Sequence, residues 1–574
     1  MQNKNPIITT HNYDLVIIGA GGAGLMTAIT AKKSGLRNVA VISKIHPLKS
    51  HTGAAKGGIN AALGNITEDD WRWHLHDTLA GGDGLADADA CEILCKNAKD
   101  AILDLAKIGV DFSLTDDGKI SQRKYGGQRL NSGKGELAYR ACYSKDETGK
   151  TILESLYREA KSLNVIFYDE FFTYDLIANN ENVAGCIAID LCNGELVKFK
   201  ATNTVIATGG YSQIFHTTTS AKICSGDGTA LAFMNNMQLQ DMEFIQFHPS
   251  GIAGQGFLIT EAARAEGGYL LNSQGDRFMK KYDPQMAELA CRDVISRAIA
   301  NEILEGRGVG PHKNGVYLDL RHLKGEIFTK KIPGVVDIAK NFANIDVTKD
   351  CLIIAPSAHY NMGGIPTDLN CQVVNQGRVV SGLYAVGEAA CLSVHGANRL
   401  GCNSLLELVV FGKICGENIA KNLSATDFED FDSVAEEKVN KFNQELIYHN
   451  SQIAQESIAE VIDALKIINE KYLAIFRTEE KMRIGIQELE KIRLRIKGLK
   501  VHSRDLAYNN ELTDLLELKN LYINSLASFH SAINRKESRG SHFHNDYPGQ
   551  GQEPLHSLIS LQNEDMKLEY KKVS

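Results

Sequence analysis

The 574-residue chain predicts an α/β protein whose first unit is a dinucleotide-binding, Rossmann-like domain, interrupted by a segment of mixed pattern and followed by helices. Three observations carry this reading. A glycine run, Gly19-Ala20-Gly21-Gly22-Ala23-Gly24, follows the strand-like Asp14-Leu15-Val16-Ile17-Ile18 and opens a helix-like stretch. Strand and helix signals alternate up to about residue 236 and resume from about 354 to 418. From about 433 to 500, apolar residues at helical spacing alternate with charges, as in Glu456-Ser457-Ile458-Ala459-Glu460-Val461-Ile462, the pattern of a helical bundle with solvated faces.

The glycine run can make a tight turn and bring backbone amides to a pyrophosphate at a helix N-terminus. In a chain with 51 glycines such a match is weak alone, and its surroundings decide. The second strand, Val39-Ala40-Val41-Ile42-Ser43, is followed by Lys44 and ends in a serine where a nicotinamide enzyme usually places an acid against the ribose. A hydroxyl can still bond a ribose, but the missing acid favours a flavin. A second glycine-bearing run, Ser50-His51-Thr52-Gly53-Ala54-Ala55-Lys56-Gly57-Gly58, is a candidate flavin loop.

Val205-Ile206-Ala207-Thr208-Gly209-Gly210 and Gly382-Leu383-Tyr384-Ala385-Val386-Gly387-Glu388 read as buried strands with glycine exits, although each also serves as an ordinary turn. Beyond them lies His395-Gly396-Ala397-Asn398-Arg399-Leu400-Gly401-Cys402-Asn403-Ser404-Leu405-Leu406-Glu407, where Ser404 and Glu407 have capping-box spacing before an apolar helix. Such a helix end offers amides and a positive dipole that would stabilise an anionic reduced flavin.

With these motifs in view, the chain resembles the flavoprotein subunit of succinate dehydrogenase and fumarate reductase. The likeness covers nearly the whole length. It rests on the segments above together with Gly58-Ile59-Asn60-Ala61-Ala62-Leu63-Gly64-Asn65, Gln246-Phe247-His248-Pro249, Thr260-Glu261-Ala262-Ala263-Arg264, Arg292-Asp293 and His359-Tyr360-Asn361-Met362-Gly363-Gly364. The resemblance implies an FAD-binding domain (1–236 and 354–418) interrupted by an α+β capping domain (237–353). A helical domain (419–535) and a C-terminal tail (536–574) then follow. It implies FAD carried on His51 through an 8α-histidyl bond. Around that cofactor it places Gly19, Gly21, Gly22, Ala23, Gly24, Ser43, Lys44, Ser50, Thr52, Gly57, Gly58, Thr208, Gly209, Asp227, Glu388, Asn398, Arg399, Ser404 and Leu405.

The implied substrates are succinate and fumarate. A dicarboxylate brings two charges, so a dry pocket must supply cations and donors at each end. The resemblance assigns Arg399 and His359 to one carboxylate and His248 and Thr260 to the other. Arginine suits a clamp because its planar fork bonds a carboxylate twice. Hydride transfer at flavin N5 needs a proton moved at the neighbouring carbon, and the resemblance gives this to Arg292. With a pKa above ~12, arginine needs a relay to replace its proton, and Glu261 and Arg264 are the implied one. A Glu and an Arg at that spacing also form ordinary helix-surface pairs.

Composition sets the bounds. There are 62 basic and 70 acidic residues, a net charge of −8, and nothing suggests nucleic-acid binding. Twelve cysteines lie without a C-x-x-C pair, so no metal or cluster site is expected and the thiols read as reduced packing residues. Electrons leaving the flavin therefore imply a separate iron–sulfur subunit and, through it, membrane anchor subunits exchanging with quinone. No apolar run reaches the ~18 residues of a membrane span, and no export signal precedes the first strand. A peripheral place on the cytoplasmic face of the membrane is expected, with succinate oxidation slightly favoured.

Some positions depart from the family pattern. Lys56 stands where Gln or Glu is usual, Ala263 where many relatives have cysteine, and Tyr125 where Phe is usual. After Glu537-Ser538-Arg539-Gly540-Ser541-His542 the final stretch diverges. The alternatives are a soluble fumarate reductase, L-aspartate oxidase without a membrane partner, and a flavin-binding assembly protein without turnover. The Ser-His-Thr setting of His51 argues against the oxidase. The set Arg292, His248, His359 and Arg399 argues against a non-enzyme.

Overall fold

The computed structural model describes residues 8–179, 181–422, 431–453, 456–562 and 565–573. Strand β1 (Ile8–Ile18) leads through Gly19–Gly21 into helix α1 (Gly22–Lys33), and β2 (Val39–Ser43) returns parallel to β1. Leu15 to Ile18 and all of β2 are buried, as expected of parallel strands covered on both faces. Strand β3 (Ile166–Asp169) pairs parallel beyond β2. An antiparallel arm, β4 (Phe171–Ala178) and β5 (Val183–Asp190), leads to β6 (Leu196–Ile206), which lies parallel to β1 on its other side.

The chain then leaves this sheet. Strands β7 (Ile245–Ile252), β8 (Tyr269–Leu271), β9 (Val316–Asp319) and β10 (Leu352–Asn361) form a separate antiparallel sheet in the order β7-β10-β9-β8, with helix α2 (Arg292–Glu302) against β7 and β10. It has its own apolar core, from Ile252 to Ile354. Strand β10 runs across the division expected at 353/354: Leu352 and Ile354 belong to that core, whereas His359 reaches the cavity described below.

The return is made by β11 (Arg378–Ala385), which pairs parallel with β6, and by helix α3 (Asn403–Lys421). Helix α3 packs closely on α1. A Cβ at Gly416 would meet Thr27 O at 2.7 Å, so the approach requires that glycine, and one at Gly412 would crowd Ala23 O at 3.0 Å. Among the described residues four helices follow: α4 (Asp432–Ser451), α5 (Ile458–Tyr472), α6 (Glu479–Gly498) and α7 (Asn510–Asn534).

The polar C-terminal segment, weakly patterned in sequence, forms a hairpin of β12 (Leu555–Gln562) and β13 (Asp565–Lys572). It adds to the short strand Leu239–Gln240. A buried ionic network holds its root: Arg535 bonds Glu243 and Glu537, and His556 bonds Asp241. Charges so deep are retained only when fully paired, and paired they fix the hairpin's position. Among the described residues no helix is long and apolar enough to cross a membrane.

Candidate active site

The C-terminal ends of four neighbouring parallel strands coincide. Ile18 of β1 pairs with Ile42 of β2 and Ile206 of β6, and Ile206 pairs with Ala385 of β11. Gly19, Ser43, Thr208, Gly209 and Glu388, far apart in sequence, therefore leave the sheet at one edge and line one cavity of about 960 Å³. Gly21, Gly22, Ala23, Lys44, Ser50, His51, Thr52, Gly57, Gly58, Asp227, Ser404 and Leu405 line it too.

The local geometry explains the glycines. Gly19 has φ +112°, and a Cβ there would meet Ala207 O at 2.3 Å. Gly24 does not line the cavity; a Cβ on it would strike Gly19 O at 2.1 Å, so it serves the packing of α1 against the turn. Helix α1 has no side-chain cap, and Gly22 N–H donates to Thr52 Oγ1 at 3.0 Å, which ties the two glycine runs together.

The second helix end differs from the expected capping box. Helix α3 starts two residues earlier, with Cys402 in the N-cap position at φ +66° and no side-chain cap hydrogen bond there. Ser404 sits inside the first turn, where its Oγ accepts from Arg399 Nη1 at 3.3 Å. Glu407 turns inward, buried, to accept from Tyr360 Oη at 2.8 Å and to bond His395 at 2.9 Å. The left-handed Cys402 explains the shift, since it reverses the chain before Ser404 can act as a cap. The helix N-terminus is thus open toward the cavity.

At the other end of the cavity, adjacent strands β7 and β10 present His248 and His359, with ring centroids 5.0 Å apart. Thr260, Glu261, Arg292 and Arg399 share the cavity wall. Arg292, the first residue of α2, donates Nε to Glu261 at 3.0 Å. Arg264 stands behind Glu261, its Nη2 3.9 Å from the carboxylate and outside the lining, and among the described residues neither its buried Nε nor Nη2 has a hydrogen-bond partner. Only a single helical turn, Ala262–Ala265, separates the two, so the pair is interior rather than on a helix surface. Asn398 also lies behind the lining, bonding Gln246 at 2.7 Å and Asp293 at 2.9 Å.

Electrostatics follow from burial and the arginines. Burial, then Arg292, pushes His248 and His359 well below the usual imidazole range, so both rings are neutral. Burial brings His51 down to about 4. Burial favours protonation of Glu261, but Arg292 and Arg264 outweigh it and keep it an anion. Arg399 is lowered to about 10 by burial and by Arg292. Burial pulls Lys44 down, yet Asp227 at 2.8 Å and Glu517 at 2.6 Å hold it above the ordinary lysine value.

Three participants escaped sequence reading. Gln246 Oε1 accepts from both Arg292 Nη1 and Arg399 Nη2, each at 3.0 Å, and so spaces two like charges. Thr219 contacts His359 Nδ1 at 2.7 Å. Glu517 reaches the cavity from α7. Gln246 had a signal: a buried strand amide needs partners. The other two depend on chain crossings with no local pattern.

The chain matches the model of the FAD binding domain over residues 14–405 and that of the fumarate reductase flavoprotein C-terminus over 462–574. It is 46% identical to a succinate dehydrogenase flavoprotein subunit of Rickettsia conorii, covering 99% of this chain and 96% of that one. The chain belongs to the succinate dehydrogenase/fumarate reductase flavoprotein family. A mitochondrial succinate dehydrogenase flavoprotein subunit of Oryza sativa is 45% identical over 99% of this chain and 91% of its own. An E. coli quinol fumarate reductase structure superposes with TM-score 0.92 at 33% identity, covering 98% of this chain and 97% of that one. As a family member the protein is an FAD-binding oxidoreductase subunit.

The residues present fit FAD. Glycines whose Cβ positions are blocked bring backbone to the cavity, the N-terminus of α3 supplies uncapped donors for anionic groups, and among the described residues Ser50 Oγ is buried without a hydrogen-bond partner.

Proposed function

We propose that the protein interconverts succinate and fumarate on FAD tethered to His51, with electrons passing through an iron–sulfur partner to or from quinone. One observation carries this reading: a single cavity gathers His51, His248, Thr260, Glu261, Arg292, His359 and Arg399 beside the glycine fingerprint. When bound, FAD supplies the two-electron carrier that accepts or returns a hydride at a saturated carbon.

The chain's own residues do the rest. Arg399 with His359, and His248 with Thr260, receive the two carboxylates. Neutral His248 accepts Ser250 N–H on Nδ1 at 3.2 Å, so its own proton sits on Nε2, free to donate to a carboxylate oxygen. Arg292 moves the proton at the carbon beside the hydride. Glu261, held anionic and hydrogen-bonded to Arg292 Nε, returns that proton with Arg264 behind it. Enclosure by the capping domain excludes water, and well-oriented sites of this kind contribute on the order of 7–11 kcal/mol.

His51 fits the tether in one detail. Its Nδ1 accepts Ala221 N–H at 3.2 Å, leaving Nε2 for the bond; an Nε2-substituted imidazole keeps the Nδ1 lone pair that this contact needs. The open end of α3 at Ser404 and Leu405 favours negative charge on the reduced cofactor. Docking on an iron–sulfur subunit, and through it on membrane anchors, places the chain peripherally on the cytoplasmic face, and succinate oxidation is slightly favoured.

The test is succinate oxidation with an artificial electron acceptor by the FAD-loaded protein, alongside flavin fluorescence of the denatured polypeptide. Turnover with fluorescence retained is expected. Absence of turnover refutes the reaction, and loss of flavin on denaturation refutes the tether alone.

A further inference from the structure

Four histidines line the cavity, and in three of them, His51, His248 and His359, Nδ1 is tied to a neighbour. For His51 and His248 that neighbour is a backbone N–H, of Ala221 and Ser250, which can only donate. Their proton position is therefore settled. For His359 the neighbour is Thr219 Oγ1, at 2.7 Å, and a hydroxyl can donate or accept.

The surroundings decide between these. Among the described residues, the one other acceptor bonded by the Thr219 hydroxyl is Ala358 O, at a long 3.4 Å. That carbonyl already accepts Thr219 N–H at 2.9 Å and Thr218 Oγ1–H at 2.9 Å. The short contact to His359 therefore takes the hydroxyl proton. Position is fixed as well, because Ala358 N–H donates to Thr217 O at 3.0 Å and zips this loop to the strand that bears His359.

We propose that Thr219 is a positioning residue for dicarboxylate binding: its hydroxyl donates to Nδ1 of His359 and holds that neutral ring with its proton on Nε2, toward the cavity. This rests on the reading of His359 as a substrate ligand. The consequence is chemical. A carboxylate only accepts hydrogen bonds, so the Nε2–H form attracts it, whereas the Nδ1–H form turns a lone pair on it. Burial and the two arginines keep the ring from solving the problem by protonation. The hydroxyl thus sets affinity at one carboxylate without touching the reacting carbons.

Two measurements test this on the FAD-loaded protein. Thr219→Val keeps the shape and removes the donor; KM for succinate and the inhibition constant for malonate are expected to rise about tenfold, with kcat changed less than about threefold. Thr219→Ser is expected to restore both. Wild-type KM in Thr219→Val overturns the proposal, and a Thr219→Ser variant as weak as Thr219→Val assigns the effect to the lost methyl and overturns it too.

The second measurement needs neither turnover nor a Thr219 variant. In wild-type protein labelled with 15N-histidine, the His359 ring signals, identified by their loss in His359→Gln, are expected to show Nδ1 as the unprotonated nitrogen. A protonated Nδ1 overturns the proposal whatever the substrate proves to be. Failure of wild-type succinate turnover with an unprotonated Nδ1 instead falsifies the substrate reading and leaves the hydrogen bond standing.

Discussion

Replacing Gln246 by leucine tests how the two guanidiniums share the cavity wall. Leucine keeps the volume but deletes Oε1, the shared acceptor of Arg292 Nη1 and Arg399 Nη2 at 3.0 Å each, and Nε2, the donor to Asn398 Oδ1 and Arg399 O. Each hydrogen bond from a charged donor is worth roughly 1.5–3 kcal/mol, so the deletion removes about 3–6 kcal/mol of ordering from two arginines that repel each other. Even half of the lower value, expressed in the transition state alone, lowers kcat/KM about tenfold, and the midpoint about a thousandfold over all. Stopped-flow reduction by succinate separates the parts. The observed reduction rate should fall because Arg292 is misplaced, and the dissociation constant should rise because Arg399 is. A kcat/KM within about threefold of wild type, with FAD retained, would refute a spacing role for Gln246.

Arg292→Gln should abolish turnover while changing malonate binding by less than about tenfold, since the proton step exists only in the transition state; comparable losses in both would remove Arg292 from that step. Gly19→Ala should prevent FAD uptake, because the added Cβ meets Ala207 O at 2.3 Å at φ +112°; the purified protein should lack flavin absorbance. His248 gives a pH dependence to the ligand-free protein. Its folded pKa lies well below the ordinary value, so the unfolded chain takes up a proton near pH 6.5 that the native one refuses. The stabilisation is complete above that pH and falls by up to about 1.4 kcal/mol per pH unit below it. Urea unfolding between pH 6.5 and 5 should show a shallower loss in His248→Gln, and an unchanged slope would contradict a neutral buried ring.

Much of the site was legible because its chemistry sits in short runs. The glycine fingerprint and its strand can be read locally, since a tight turn and a close backbone approach leave no room for side chains. Ser43, Thr208 and Glu388 were legible as ends of apolar strands, and parallel pairing then carries every such end to one edge. Where residues interact across the fold, local reading fails. Ser404 and Glu407 have capping-box spacing, but the left-handed Cys402 starts the helix earlier and Glu407 bonds Tyr360 and His395 instead. Arg264 lies behind Glu261 rather than along a helix face, and Asn398 braces the wall from outside. Glu517 meets Lys44 only because α7 packs along the cavity wall, and the C-terminal hairpin is held by ion pairs to residues some 300 positions away, as in the contact of His556 with Asp241.

The order of strands also governs when the pocket can exist. A nascent chain emerging from a ribosome at roughly 5–20 residues per second displays Gly19 early, yet β11 and α3, which finish the sheet edge and supply Leu405, emerge tens of seconds later. Glu517 arrives later still. Until β11 emerges, β6 is covered by β5 along Leu196–Lys200 but bare at Thr204–Ile206, a short edge open to wrong pairing. The cavity is incomplete until α3 has emerged, and truncation anywhere before residue 405 yields a fingerprint without a pocket.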